Sequence, residues 1–256
     1  MKDVATIEFT DYPTSVPEAL DAVGAAPRLP SDGLIILKPN LTNADGPPVT
    51  TPVGIVEAAY RYCAAHTNAE IAIGEGCGTG ETIDTFESNG YVDLAEREGI
   101  RLIDFNKEEA VRLERDDTLQ LKELYLPKVA LDAFIISIPI LKDHSFTVTT
   151  IAMKNMFGLA PAPYYEGSWN KSKLHTPCTH RSVVDVCLYK PPGLCLVDAV
   201  TALAGMHLHG TPKNLGLILA GFDPVAVDAA GSRLMGHDPD TIEYLMLARS
   251  RDRGRS

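Results

Sequence analysis

In the stretch "FIISIPILKDHSFTVTTIAMKNMFG", Phe134 to Gly158, an apolar run delivers Lys142 and His144, and a second apolar segment carries Lys154 and Asn155. Lys142 and His144 are two residues apart, so in extended chain their side chains share one side while Asp143 points to the other. A helix from roughly 148 to 157 would place Thr147, Thr150 (or Ile151) and Lys154 on one face, with Met153, Met156 and Phe157 on the other. A lysine in such apolar surroundings either snorkels to the surface or faces a polar cavity. In a cavity it has two uses. A depressed pKa makes it an acid, a base or an imine former, and a retained charge makes it an anion clamp. Lys142, His144 and Lys154 are therefore the expected catalytic residues.

These residues need a frame, and the sequence supplies alternating strand-like and helix-like segments. "GLIILK" (Gly33–Lys38), "AEIAIGEG" (Ala69–Gly76), "IRLIDF" (Ile100–Phe105), "AFIISIPI" (Ala133–Ile140), "GLCLVDAV" (Gly193–Val200) and "NLGLILAG" (Asn214–Gly221) read as buried strands. "TPVGIVEAAYRYCAAH" (Thr51–His66) has helical spacing, and the segment Ile83–Gly99 reads as two short helices broken at Asn89-Gly90. Asp223, Pro224 and Gly236 mark the cap, first turn and end of another helix, and Asp238 or Asp240 opens a last one. The rhythm predicts an α/β fold, a mainly parallel sheet with helices on both faces, in a single domain over 1–256. Residues 160–178 are expected to form a long loop or lid, on which Tyr164, Tyr165 and Trp169 could close over a ligand.

Ligands bind such sheets beyond the carboxyl ends of the strands. Those ends deliver Lys38 and Asn40, the glycine-rich "GEGCGTG" with Gly76 and Gly78, Lys142 with His144, Asp198, and Asp223. "HR", His180 and Arg181, opens a helix and favours an anion there. The expected substrate-binding residues are Lys38, Asn40, Gly76, Gly78, Asn155, His180, Arg181, Asp198 and Asp223. The glycine run either cradles phosphate or carboxylate or is a plain turn; it matches no standard phosphate-loop pattern. Asp198 and Asp223 also read as turn and capping residues, and Asp228 as a contact to a neighbouring loop.

The net charge of −11 in 256 residues argues against nucleic acid or an anionic membrane as partner. No apolar run approaches a membrane span and the start lacks a signal-peptide core, so a cytoplasmic protein is expected. The five cysteines, Cys63, Cys77, Cys178, Cys187 and Cys195, form no C-x-x-C pair. They provide no iron–sulphur motif and read as reduced thiols, with Cys63, Cys187 and Cys195 in the core. His175, Cys178 and His180 are metal-ligating types, but Pro177 interrupts them, and no tightly bound transition metal is expected. His207 and His209 would share a face if extended. The tail "ARSRDRGRS" reads as a frayed end.

The pieces "ILKPNL", "IGEGCGTGETIDTFESNGY", "IPILKDHSFTVTTIAMKNMFGL", "HR", "LVDAV" and "GTPKNLGLILAGFDPVAVDAAGSRLMGHDPDTIEYL", in this order, resemble the domain of unknown function 362 family. They span most of the chain and include Lys38, Asn40, Lys142, His144, Lys154, Asn155, His180, Arg181, Asp198, Asp223 and Asp228. The resemblance implies an α/β fold and supplies no reaction. Some relatives are fused to iron–sulphur ferredoxin modules, so any redox role it implies would need a separate ferredoxin-like electron carrier; the cofactor is unknown.

The reading that follows is an enzyme acting on a small anionic metabolite bearing phosphate or carboxylate. Lys38, Lys154 and Arg181 would hold the anion, and Lys142 or His144 would move a proton. The alternatives are a non-catalytic module binding a ligand or redox partner, and a metal-dependent protein using His175, Cys178, His180 and Asp198.

Overall fold

The computed structural model describes residues 3–253. The chain runs β1 (Val4–Glu8), α1 (Tyr12–Ala22), β2 (Leu34–Pro39), α2 (Val53–His66), β3 (Glu70–Glu75), α3 (Thr82–Ser88), α4 (Tyr91–Glu98), β4 (Arg101–Asp104), β5 (Ala110–Glu114), β6 (Glu123–Pro127) and α5 (Lys128–Leu131). It continues with β7 (Phe134–Ile138), β8 (Ile140–His144), β9 (Val148–Thr150), α6 (Ala152–Asn155), α7 (Ala162–Tyr165), α8 (Thr179–Tyr189), β10 (Leu194–Ala204), β11 (Thr211–Gly221), α9 (Pro224–Met235) and α10 (Glu243–Arg253).

The main sheet has the order β1-β11-β10-β7-β2-β3-β4. From β10 to β4 every pairing is parallel; β11 runs against both β10 and β1. The expected mainly parallel α/β fold is what forms. The registers Leu37↔Ile73 and Lys38↔Ser137 put the ends of β2, β3 and β7 at one edge.

The apolar strands are buried on both faces, and alternation along each strand assigns its side chains. Ile35 and Leu37 of β2 pack with α1, α2 and α4 on one face. Ile36, between them, packs on the other face with Ile135, Met153, and residues of α8 and α10. Lys38 follows Ile36 in phase, so it points into that second layer, where no solvent reaches it. A third cluster joins Leu141, Val197 and Leu219 to Val227 of α9.

Three expectations need correction. The segment 148–157 is not one helix. Thr147 closes a turn, Val148 takes a left-handed φ of 66°, and β9 pairs antiparallel to β8 through Thr149 and Thr150, so helix starts only at Ala152. The strand expected at Ala133–Ile140 is interrupted at Pro139, after which β8 continues beside β10. Within the loop 160–178 lie two short helical turns, α7 and a 3₁₀ turn at Ser172–His175. The tail is helical as far as Arg253; the end of "ARSRDRGRS", 254–256, lies outside the described residues. The hairpin of β5 and β6 had no clear alternation to announce it. No helix among the described residues is long and apolar enough to cross a membrane.

Candidate functional site

A cavity of about 220 Å³ opens at the shared strand edge. Lys142, His144, Lys154, Asn155, Asn40, Gly76 and Gly78 line it, joined by Glu75, Thr150, Trp169, Lys171, His175 and His207. Lys142 and His144 reach it from β8, two residues apart as extended geometry requires. Asp143, between them, turns away to the backbone of Gly205 and to His237, 2.7 Å from its carboxylate.

The floor is a polar network. Lys38 Nζ donates to Glu75 at 2.9 Å, to Asn155 Oδ1 at 3.3 Å and to the Pro39 carbonyl at 3.1 Å. Burial pushes the Lys38 pKa down, and the Glu75 charge opposes that shift. Glu75 also accepts the Leu41 and Gly76 amides. Lys38, expected to hold an anion, is paired with a carboxylate beneath the cavity and is not among the residues that line it. A Cβ on Gly158 would run into Glu75 Oε1 and Lys38 Nζ, so this close approach requires glycine.

The glycine loop lines the cavity but does not cradle a ligand with its amides. Gly76 N–H goes to Glu75 Oε1, Cys77 N–H to Thr82 Oγ1, and Gly78 and Thr79 N–H to the Thr42 carbonyl. The loop's role is to bring main chain close, with the Gly76 carbonyl accepting from Lys171 Nζ at 2.6 Å.

Three lysines remain. Lys142 Nζ donates to the Val49 carbonyl at 2.8 Å, and burial holds its pKa down to about 7. Lys154 Nζ lies 3.9 Å from the centre of the Phe157 ring. Burial first, then Lys142, Lys171 and Lys38, hold it down to about 7. Lys171, in a left-handed conformation (φ 57°), is held down to about 8, chiefly by burial. Lys154 is aimed by α6, whose first amides are gripped from below: Asp228 accepts from Ala152 N–H at 2.8 Å and from Met153 N–H, and takes a further hydrogen bond from Tyr244.

The wall opposite is aromatic. The His144 and His207 rings stack at 4.2 Å, and Trp169 and Phe157 pack on His175 at 4.6 and 5.4 Å. Burial lowers all three imidazoles, His175 to about 3 and His207 to about 4, so they are neutral at pH 7. His144 Nδ1 accepts the Phe146 amide, leaving the proton on Nε2. His175 Nδ1 faces the Lys171 carbonyl at 3.1 Å and must carry the proton, which leaves Nε2 as an acceptor.

Several expected residues lie elsewhere. Asp198 accepts from Tyr12 Oη at 2.7 Å, and Asp223 caps α9 through Val225 N–H. His180 accepts the Tyr244 amide, and Arg181 is exposed on α8. Cys178 contacts Glu243, away from His175, and no group of three His, Cys, Asp or Glu among the described residues is placed to hold a metal ion. Tyr164 stacks on Tyr125 and Tyr165 bonds its backbone, so of the three loop aromatics only Trp169 reaches the cavity. Lys171 was not anticipated. It sits in a polar loop beside Lys173, and only its left-handed backbone and its reach to Gly76 distinguish it.

The chain belongs to the family described as domain of unknown function DUF362, whose model matches residues 35–233. It is 27% identical over 213 residues to a thylakoid-associated protein of Synechocystis, covering 81% of this chain and 64% of that protein. Its fold is similar to that of the lactate racemase apoprotein from Thermoanaerobacterium thermosaccharolyticum, with a TM-score of 0.54, 14% identity, and coverage of 88% of this chain and 55% of the other. The chain thus spans a little under two thirds of the first and about half of the second.

Proposed function

We propose that the protein is an enzyme acting on a small anionic metabolite, with a carboxylate as the anionic group. One observation carries this reading. Lys142, Lys154 and Lys171 surround one cavity whose only carboxylate among the described lining residues, Glu75, already receives Lys38. Against the burial that lowers both, Glu75 favours the charged forms of Lys142 and Lys171, but it is shared with Lys38; Lys154 is held down by burial and by Lys142, Lys171 and Lys38. A bound anion relieves that excess of positive charge. The cavity volume suits a metabolite of a few carbons rather than a nucleotide. The aromatic wall gives such a ligand an apolar side. The name of the structural neighbour favours carboxylate over phosphate.

Lys154 is the group best suited to move a proton. With a pKa of about 7 it is present in both forms at neutral pH, so it can accept a proton from carbon or oxygen and return it. Lys142 is similar in pKa but is tied to Val49. His144, neutral with Nε2–H, donates a hydrogen bond rather than a proton. Trp169 and Lys171 would close the cavity from the 160–178 segment.

Thermal melts with acetate, propionate, lactate, succinate and phosphate at fixed ionic strength test binding. A carboxylate at a hundred times its Kd should stabilise by about 2.7 kcal/mol, and Lys154→Met should remove that effect. Incubation of the stabilising acid in D₂O, followed by NMR, tests turnover through exchange of the hydrogen beside the carboxylate. If no carboxylate shifts the melting temperature, the reading fails.

A further inference from the structure

Among the described residues, Asn40, Thr150 and His207 each carry a buried polar atom with no hydrogen-bond partner, and all three residues line the cavity. Thr150 is 3% exposed. Unpartnered polar atoms gathered on one cavity wall are groups that a ligand completes.

The orientation of the Asn40 amide is dictated by its neighbours. Asn155 Nδ2 donates to the Lys38 carbonyl and to Ser137 Oγ, both at 3.0 Å. A carbonyl can only accept, so the Asn155 amide cannot be turned over, and its Oδ1 faces the Lys38 ammonium and Asn40. Asn40 must therefore present Nδ2 to Asn155 Oδ1, at 3.2 Å. Its own Oδ1 is then a buried acceptor without a partner, on a residue that lines the cavity. An acceptor needs a donor. A carboxylate has none at neutral pH, so the anionic group alone does not complete this wall.

The donor must also be uncharged. An ammonium group would satisfy Asn40 Oδ1 but would enter a cavity already holding three lysine amines. A keto group offers no hydrogen. A hydroxyl can donate to an acceptor such as Asn40 Oδ1 and, through its own lone pairs, accept from a donor such as Thr150 Oγ1–H. We infer that the ligand is a hydroxylated carboxylate, a hydroxy acid, recognised by lysine at the carboxylate and by Asn40 and Thr150 at the hydroxyl. This rests on the carboxylate reading above and narrows it.

Four three-carbon acids of similar size separate the possibilities by calorimetric titration: lactate, propionate, pyruvate and alanine. Lactate should bind about tenfold or more tightly than propionate or pyruvate, and alanine more weakly than lactate. Malate against succinate repeats the comparison for a longer ligand. Thr150→Val, nearly isosteric, should shrink the advantage of the hydroxy acid while leaving the Kd for propionate or succinate within about twofold. Asn40→Leu should do the same more strongly; if it fails to fold, the ligand series and Thr150→Val still decide. Equal binding of hydroxylated and plain acids, or a preference for alanine, overturns the hydroxy-acid assignment and leaves the carboxylate reading standing. Binding by none of the six acids overturns both.

Discussion

Lys38 and Glu75 meet at 2.9 Å beneath the cavity, with side-chain exposures of 0% and 3%. Glu75 gathers Leu41 N–H and Gly76 N–H as well, so one carboxylate ties together the ends of β2 and β3. Glu75→Gln keeps the shape and removes the charge. It should cost roughly 3–5 kcal/mol of unfolding free energy in urea, because Lys38 is left buried without a carboxylate. Pairing it with Lys38→Met should recover part of that loss. A single-variant loss under about 1 kcal/mol would mean that the pair is not what holds the floor.

The cavity lysines make apo stability depend on pH. Lys142 and Lys154 have native pKa values near 7, below the usual 10.5. Below about pH 7 both are protonated in the native and unfolded states, and their burial penalty is fully present. Between 7 and 10.5 the unfolded chain binds more protons, so stability rises with pH. Each lysine would contribute roughly 3 kcal/mol over this window, so the ligand-free protein should gain up to about 6 kcal/mol from pH 6.5 to 9.5, and Lys154→Met should gain about half as much. Guanidinium titrations at the two pH values measure this; a flat or falling profile in the wild type, matched by the variant, contradicts it.

Trp169 is the single tryptophan of the chain, half exposed at the cavity mouth and packed on His175. Its emission should shift or quench saturably as a bound acid excludes water from the ring. Trp169→Ala should weaken binding several-fold while changing stability by less than about 1 kcal/mol, because an indole this exposed buries little on folding. Saturable calorimetric binding with no change in emission would place the ligand away from this loop.

Asp228 tests how Lys154 is aimed. Asp228→Ala strips the α6 amides and the Tyr244 hydroxyl of their acceptor, and should cost about 2–4 kcal/mol. Asp228→Asn keeps one acceptor oxygen and should cost less. If Asp228→Asn folds but loses acid-dependent stabilisation, the carboxylate sets the pose of Lys154; unchanged binding would limit its role to stability.

The sheet was legible because strands buried on both faces read as apolar runs, and the ends of β2, β3 and β7 followed from their order. Lys142, His144 and Lys154 were legible because polar residues at the end of a buried strand, or inside an apolar segment, have few other reasons to be there. Lys38 was found, but its pairing was not: nothing in "ILKPNL" shows that Glu75 waits on the adjacent strand. The glycine loop stayed open between an anion cradle and a plain turn because nothing in its own pattern shows that Glu75 Oε1, Thr82 Oγ1 and the Thr42 carbonyl accept from its amides. Lys171, His175 and His207 come from two further loops. Their convergence depends on tertiary packing, which local pattern does not encode. Asp198, Asp223 and His180 illustrate the converse, since polar strand ends and helix starts have capping and bracing work of their own.

The interruption at Pro139 makes one strand serve two neighbourhoods. Before it, β7 is zipped to β2; after it, β8 has left β2 and taken β9 on that side, while β10 accompanies both. The residues 49–51 sit in the resulting fork: Thr51 Oγ1 donates to the Ile138 carbonyl below it, and the Val49 carbonyl receives Lys142 above it. The cavity mouth is therefore a seam where the sheet unzips, propped by a wedge of ordinary backbone. The wedge holds Lys142 through the Val49 carbonyl, so a change at 49–51 should shift a cavity lysine without replacing any residue of the cavity lining.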